Sequence, residues 1–387
     1  MVGRHSGRVI KMVQEIIEES ETGRPLDSVT RIYFKNKPGL SRSLCHIVKN
    51  QVYKFAKWRG CIGNKIPSRK SIEEIDRLIE LFKSSPENFP NEILDKAIPA
   101  WTRDVMDFNQ DWLKQIQKDP LLWVRLKSPE KRDSLSPEIA DSLIPASDFL
   151  SKKFPLLDGL QESFVYTGEH DLFKTNAFHS GEIEIQDLAS QFVSKIANPR
   201  PGESWWDTCC GEGGKTMHLC QLMKNKGQVM ATDKALWRLK KLKKRAARSK
   251  AYNYLCKQWD GLHHRNPGGA NRYDGIIIDA PCSGIGTWQR NPDGRWRCSK
   301  DTVMELSKTQ YSLIKKVVKS LKVGGKLVFS VCTMTRPETH SICSLVETEI
   351  KELAPIPFSA EGHADMQIWP QDLDCNGMFI KQWQRVK

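Results

Sequence analysis

Two cysteines stand where strands give out. Cys282 follows Gly275-Ile276-Ile277-Ile278-Asp279-Ala280-Pro281, and Cys332 closes the run Lys326-Leu327-Val328-Phe329-Ser330-Val331. Three successive isoleucines are too apolar for a half-exposed strand and read as a strand buried on both faces, the mark of a parallel sheet. Pro281 cannot continue a ladder, so that strand stops at Asp279. In open α/β sheets the ligand crevice lies beyond the carboxyl ends of the strands. If the two strands are neighbours, both thiols and the Asp279 carboxyl arrive at one crevice. A cysteine is often only a small buried hydrophobe, which suits Cys45, Cys220, Cys256 and Cys343. It suits poorly a cysteine in Ala-Pro-Cys-Ser-Gly, or in Val-Cys-Thr-Met-Thr-Arg-Pro where the chain turns polar. Metal binding by the pair is open, but no nearby histidine completes a ligand set.

A thiolate can do chemistry on a pyrimidine that no cofactor does alone. Carbon 5 of cytosine is a poor nucleophile. A cysteine added to carbon 6 turns the ring into an enamine whose carbon 5 can attack an electrophilic methyl group. A base then removes the hydrogen at carbon 5 and the cysteine is eliminated. A target inside a helix must first be unstacked.

Acids and glycines complete the constellation. Asp207-Thr208-Cys209-Cys210-Gly211-Glu212-Gly213-Gly214-Lys215-Thr216 is a glycine loop that opens a helix, where backbone can approach a ligand and free N–H groups point outward. It is not a P-loop, which places four residues between its first glycine and Gly-Lys, where this loop has two. Asp233 comes 18 residues after Lys215, about where a ribose-binding acid is expected. Asp260 would lie beside the base of the nucleoside, and Asp279 would line the same crevice. A single acid at a strand end is commonly a cap or a solvated residue. Four acids beyond four parallel strands favour a nucleoside site.

The elements that must position these residues are strands at 204–207, 227–231, 252–256, 273–279 and 325–331, a possible edge strand at 378–383, and helices at 215–224, 234–249, 301–321 and 338–353. Their alternation argues α/β for residues 181–387. Residues 1–110 read as an all-α region: apolar residues from Val9 to Ile17 share one helical face, Ser41 opens a further helix, and Ser71-Ile72-Glu73-Glu74 resembles a capped start. Residues 111–180 read as a small α+β segment with strands at 121–126 and 164–166.

The chain has 387 residues, so two or three domains are expected, and its 39% hydrophobic content can fill cores. No apolar run approaches about eighteen residues, so no membrane span is expected. The basic stretch Met1–Lys11 lacks the apolar core of a secretory signal. The net charge of +14 favours a polyanion, most simply nucleic acid. Eleven cysteines, none in a C-x-x-C pair, argue against a zinc site or a disulfide framework and for a reduced, cytoplasmic setting.

Taken together, the residues resemble the RNA (cytosine-5)-methyltransferases of the Sun/RsmB type. The resemblance runs through Gly181-Glu182-Ile183-Glu184-Ile185-Gln186-Asp187-Leu188-Ala189-Ser190-Gln191, the loop 207–216, Asp233, Asp260 and Asp279-Ala280-Pro281-Cys282-Ser283-Gly284. It continues through 286–296, Phe329-Ser330-Val331-Cys332-Thr333, Ile368-Trp369-Pro370 and Gly377-Met378-Phe379-Ile380. The helical region resembles a NusB-like RNA-binding domain more loosely. The resemblance implies a Rossmann-like sheet that binds S-adenosylmethionine, with Cys209, Cys210, Gly211, Glu212, Gly213, Gly214 and Lys215 at the methionine end, Asp233 on the ribose, Asp260 on the adenine and Asp279 between cofactor and cytosine. It implies Cys332 as the nucleophile and Cys282 as the residue that helps break down the adduct. It implies ribosomal RNA as the partner of a monomer, with no metal and no membrane. Two departures stand out: Glu212 replaces a proline, and Glu338-Thr339 stands where Glu-Asn is usual.

Two basic stretches compete for the RNA. Leu236–Lys250 carries eight cations, with Leu236, Leu239 and Leu242 expected to face the sheet. Arg290, Arg295 and Arg297 interleave with Trp288 and Trp296 just past the cysteine loop, a mixture suited to single-stranded RNA and expected to be the RNA-facing element. Other readings are a tRNA substrate, a DNA cytosine methyltransferase, which would use the Pro-Cys cysteine as its nucleophile, and a non-catalytic RNA-binding assembly factor. The second cysteine speaks for RNA, and the intact cysteines and acids speak for catalysis.

Overall fold

The computed structural model describes residues 6–63, 65–149, 160–261, 263–357 and 362–387. Residues 1–5 and 64 of the expected helical region and 150–159 of the expected α+β segment lie outside the described residues. Packing divides the chain into two units. One comprises Met1–Asp119 with Gly284–Val303, the other Pro120–Ser283 with Met304–Lys387.

The helical unit is built on α1 (Gly7–Glu21), α2 (Leu26–Lys35), α3 (Arg42–Trp58) and α4 (Arg69–Ser84). Val9, Met12, Val13, Ile16 and Ile17 of α1 are buried, as their helical spacing requires. The Ser6 and Ser41 hydroxyls cap α1 and α3 by accepting from Val9 and Leu44 N–H. The cap of α4 is not at Ser71, as expected, but at Ser68. The Ser68 hydroxyl accepts from Ser71 N–H at 3.1 Å, and the Ser71 hydroxyl accepts from Ser68 N–H at 2.7 Å. Ser71 is thus the far partner of a capping box.

Gly284–Val303 withdraws two residues from the expected RNA face. Trp288 and Arg295 are fully buried. Arg295 sits on a short helix, Gly294–Arg297, and its two Nη atoms donate to the carbonyls of Lys57, Ala97, Ile116 and Trp288. Trp296 Nε1 donates to Ala56 O at 2.8 Å. Asp293 accepts from Leu26 N–H at 3.1 Å, supplying the cap that Pro25 cannot give α2, and from Arg297 Nε at 2.9 Å. These cations and rings hold the returning segment to the helices. They match the sequence pattern of a nucleic-acid surface because the N–H groups of a guanidinium can be taken up by carbonyl oxygens as well as by phosphate.

The second unit opens with a small antiparallel sheet of β1 (Leu122–Leu126), β2 (Leu143–Pro145), β3 (Ser163–Tyr166) and β4 (Ile183–Ile185), in the order β2-β3-β1-β4. After α5 (Leu188–Ala197) the large sheet begins. In chain order its elements are β5 (Ser204–Asp207), α6 (Gly214–Leu222), β6 (Gln228–Asp233), α7 (Leu236–Ser249), β7 (Tyr254–Gln258), β8 (Tyr273–Asp279), α8 (Lys300–Val317), β9 (Leu321–Val331), α9 (His340–Glu349), β10 (Leu353–Pro355), β11 (Asp365–Ile368) and β12 (Met378–Arg385). The strand order is β10-β12-β9-β8-β5-β6-β7, with β11 also on β12. Strands β5 to β9 are parallel, and β12 runs antiparallel to β9.

Ile276, Ile277 and Ile278 of β8 are completely buried, with helices covering both faces, as the apolar run requires. Strand β12 is not an edge: β9 flanks it on one side and β10 and β11 on the other, and Met378–Trp383 are all buried. Lys381 is buried within it, against Glu347 at 2.9 Å. On α7, Leu239 and Leu242 are buried as expected, but Leu236 is 55% exposed because it starts the helix beyond the sheet. Arg245 and Arg248 of the same helix pair with the buried Glu184 at 2.7 Å each, so part of its charge is structural. Among the described residues no helix is long and apolar enough to cross a membrane.

Candidate active site

A cavity of about 520 Å³ opens beyond the carboxyl ends of β5, β6, β8 and β9. It is lined by Cys209, Cys210, Gly211, Glu212, Gly214, Lys215, Asp233, Asp260, Asp279, Cys282 and Cys332, which is every predicted site residue except Gly213. Gly213 serves the wall from behind. Its φ is +89°, and a Cβ there would meet Leu242 of α7 at 2.7 Å. Gly211, at φ +56°, has open space where a side chain would project, so the backbone lies bare to the cavity.

The acids are held in different ways. Asp233, at the end of β6, accepts from Gly211 N–H at 3.0 Å and Ala235 N–H at 2.8 Å, with Arg238 at 3.5 Å. A carboxylate has about four acceptor sites, so room remains for a hydroxyl. Asp260 accepts from the N–H groups of His263 and His264, which fixes the turn after β7. Asp279, at the end of β8, accepts from Lys215 Nζ at 2.7 Å and Ser330 Oγ at 3.0 Å. Burial pushes the Lys215 ammonium down, and the Asp279 carboxylate more than offsets this, leaving it above its usual value. Lys215 also donates to Ser190 at 2.9 Å. Asp207 is fully buried. Oδ2 accepts from Thr216 Oγ1 at 2.6 Å and Oδ1 has no partner among the described residues. Burial pushes its carboxyl up to about 7.

The two thiols meet. Cys282 Sγ and Cys332 Sγ are 3.3 Å apart, on the loops that follow adjacent parallel strands paired at Asp279 and Ser330. The hydrogen bond to Cys332, then burial, hold the Cys282 thiol well above its usual value. The two sulfurs lie within hydrogen-bond reach, and either can be the donor. Burial likewise holds Cys209 up at about 12 and raises Cys210, so neither is a nucleophile at neutral pH.

The cysteine loops are tied by a residue the sequence marked only as a departure point. Glu338 is fully buried and accepts from Ser283 N–H at 2.8 Å, Ser283 Oγ at 2.5 Å, Thr335 Oγ1 at 2.8 Å and Gln310 Nε2 at 3.0 Å. Burial raises its pKa. The cavity also takes in Ser190, Lys234, Arg238, Trp259, Thr309 and Leu313, none predicted as site residues. Ser190 lay inside a stretch singled out for resemblance, and Arg238 inside the basic helix. Nothing local marked Thr309 or Leu313, which reach the cavity from α8. The Glu212 departure is neutralised, since Lys241 of α7 donates to its carboxylate.

The fold and cavity define a methyltransferase of the S-adenosylmethionine-dependent class. The 16S rRNA methyltransferase RsmB/F family matches over residues 194–384. The probable ribosomal RNA small subunit methyltransferase B of Synechocystis sp. is 32% identical over 311 residues, covering 75% of this chain and 67% of that protein. The protein of the same name from Bacillus subtilis is 31% identical over 218 residues, with 53% and 48% covered, and the ribosomal RNA small subunit methyltransferase F of Vibrio cholerae 32% over 198 residues, with 48% and 41% covered. The chain thus spans two thirds of the first relative and less than half of the other two. The chain belongs to the RsmB/F family of 16S rRNA methyltransferases, which act on RNA cytosine with S-adenosylmethionine as cofactor. Its fold is that of the crystal structure of PH0851, with a TM-score of 0.73 at 22% identity over 97% of this chain and 99% of that one. NSun6 from Pyrococcus horikoshii, solved with SFG, gives 0.54 at 17% identity over 72% and 94%.

The residues present suit that cofactor. The bare backbone at Gly211, the spare acceptor capacity of Asp233 and the apolar Trp259 and Leu313 make a wall for a nucleoside. Among the described residues there is no group of three or more metal-ligating side chains.

Proposed function

We propose that this protein methylates carbon 5 of a cytosine in small-subunit ribosomal RNA, through a covalent bond between Cys332 and carbon 6 of the ring. What supports this reading is the 3.3 Å separation of the two sulfurs in a cavity that also holds Asp233, Asp260 and Asp279. Asp233 takes the ribose hydroxyls, Asp260 lies on the adenine side, and the 209–215 loop takes the methionine end. S-adenosylmethionine, when bound, supplies an electrophilic methyl group.

Cys332 acts as thiolate. Its sulfur lone pair forms the bond to carbon 6, and the ring double bond supplies the electrons with which carbon 5 takes the methyl group. The Cys282 thiol, 3.3 Å away and protonated, donates a hydrogen bond to that sulfur. Asp279, lining the same cavity, accepts the carbon 5 hydrogen as a proton. The C–H electrons restore the ring double bond, the C–S bond breaks, and the Cys332 sulfur leaves with its electron pair. Cys282 stabilises the departing thiolate, so its contribution is largest at release.

Single substitutions test this. Cys332→Ala should form no protein–RNA adduct. Cys282→Ala should form the adduct and accumulate it on a denaturing gel. Adduct accumulation in Cys332→Ala, or full turnover in both variants, would sink the reading.

A further inference from the structure

The clamp around Glu338 joins the residues that directly follow the two cysteines. Ser283 comes after Cys282, and both its N–H and its hydroxyl donate to Glu338. Thr333 comes after Cys332, and its hydroxyl shares a hydrogen bond with Ser283 Oγ at 2.9 Å. Thr335 ties the second loop to the same carboxylate at 2.8 Å. Gln310 of α8 closes the ring, with Nε2 donating to Glu338 at 3.0 Å and to Pro281 O at 2.9 Å. One buried carboxylate therefore receives donors from both cysteine loops and from the helix beside them.

We infer that Glu338 is the positioning residue of the thiol pair: it sets the distance between the Cys282 and Cys332 sulfurs, and through that distance the rate at which the methylated RNA is released. This rests on the covalent mechanism proposed above. Adduct formation requires one sulfur and the target base. Release requires the second sulfur at hydrogen-bond distance from the first, and a displacement of about 1 Å at such a site costs on the order of 100-fold in rate. The step most sensitive to the clamp is therefore release. Glu338 touches neither sulfur, and it acts through the backbone on which they ride.

The two carboxylate oxygens meet different donors, and this decides which substitution is tolerated. Oε1 faces two N–H donors, Ser283 N and Gln310 Nε2, which can only donate. Oε2 faces two hydroxyls, Ser283 and Thr335, which can turn to accept. In Glu338→Gln the amide oxygen can take the first place and the NH₂ the second, so the clamp survives without its charge. In Glu338→Ala four donors lose their acceptor.

The test uses the full chain with transcribed small-subunit rRNA and S-adenosylmethionine. It reads adduct formation in a single turnover, release of methylated RNA, and cofactor affinity by calorimetry. Glu338→Ala should form adduct within about threefold of the parent rate but release it at least about tenfold more slowly, with cofactor affinity unchanged. Glu338→Gln should restore release. Should the alanine variant fold poorly, Ser283→Ala, which removes one hydroxyl and keeps the N–H, should slow the same step to a smaller degree. Parent-like release in Glu338→Ala and Ser283→Ala overturns the inference. So does a glutamine variant as slow as the alanine one, or a joint loss of cofactor affinity and adduct formation. Failure of the unsubstituted protein to form any adduct overturns the covalent reading itself, a distinct result.

Discussion

Arg295 in the helical unit and Asp207 in the sheet unit are both fully buried ionisable side chains, kept in opposite ways. Arg295 has four backbone carbonyls on its two Nη atoms, with Nε unpartnered among the described residues, and its charge is used to fasten a returning segment. Asp207 has a single hydroxyl donor and one oxygen with no partner among the described residues, and it stands in a cavity wall. A buried charge surrounded by acceptors is part of the scaffold. One left short of donors is a strained feature, tolerated where a site needs an acid.

The largest expected effect lies on the scaffold side. Arg295→Met should cost the helical unit roughly 3–5 kcal/mol, since it strips a buried guanidinium from its partners, and should appear as an early transition in a denaturant melt. A loss below about 1 kcal/mol would mean the carbonyls are satisfied otherwise and would collapse the contrast. Asp207→Asn should act in the reverse sense. The folded carboxyl, at about 7, is raised above the usual 3.8, so the parent protein is favoured at low pH and loses stability as pH rises from 4 through 7. The asparagine variant should lack that decline and be the more stable form at pH 8, by on the order of a few kcal/mol. Parallel pH–stability curves for the two would show that Asp207 is not strained. Trp296→Phe, which removes the N–H donated to Ala56 O together with part of the ring, should cost the helical unit about 1–2 kcal/mol in the same melt. Lys241→Ala should do least. Its pair with Glu212 is nearly half exposed on both sides, and such pairs give less than about 1 kcal/mol in a thermal melt, an effect that should fade with salt.

The sheet and its site were legible in the sequence for a physical reason. Strand burial and strand-end chemistry are local: Ile276–Ile278 announce a covered strand, and Asp233, Asp279 and Cys332 follow directly from where their strands stop. The helical unit's clasp was not legible. Arg295 and Trp288 look like a surface in a string of letters, because burial of a cation depends on carbonyls up to 238 residues away in the chain. The same holds for Lys381, a cation buried against Glu347, and for Glu338, whose partners come from three separate stretches. Thr309 and Leu313 reach the cavity only because α8 packs there. The start of α4 was misplaced by three residues because Ser68 and Ser71 are both acceptable caps, and only their mutual hydrogen bonds decide between them.

The division of the helical unit into Met1–Asp119 and Gly284–Val303 has a consequence for synthesis. When a ribosome has finished residue 119, Lys57, Ala97 and Ile116 have no guanidinium to receive, and Leu26 lacks the acceptor that Asp293 supplies. The clasp arrives only after strands β1 to β8 have been made. Of the two units, the one whose synthesis starts earlier is thus completed late, and a fragment cut at residue 119 would carry every helix from α1 to α4 yet lack the piece that locks them.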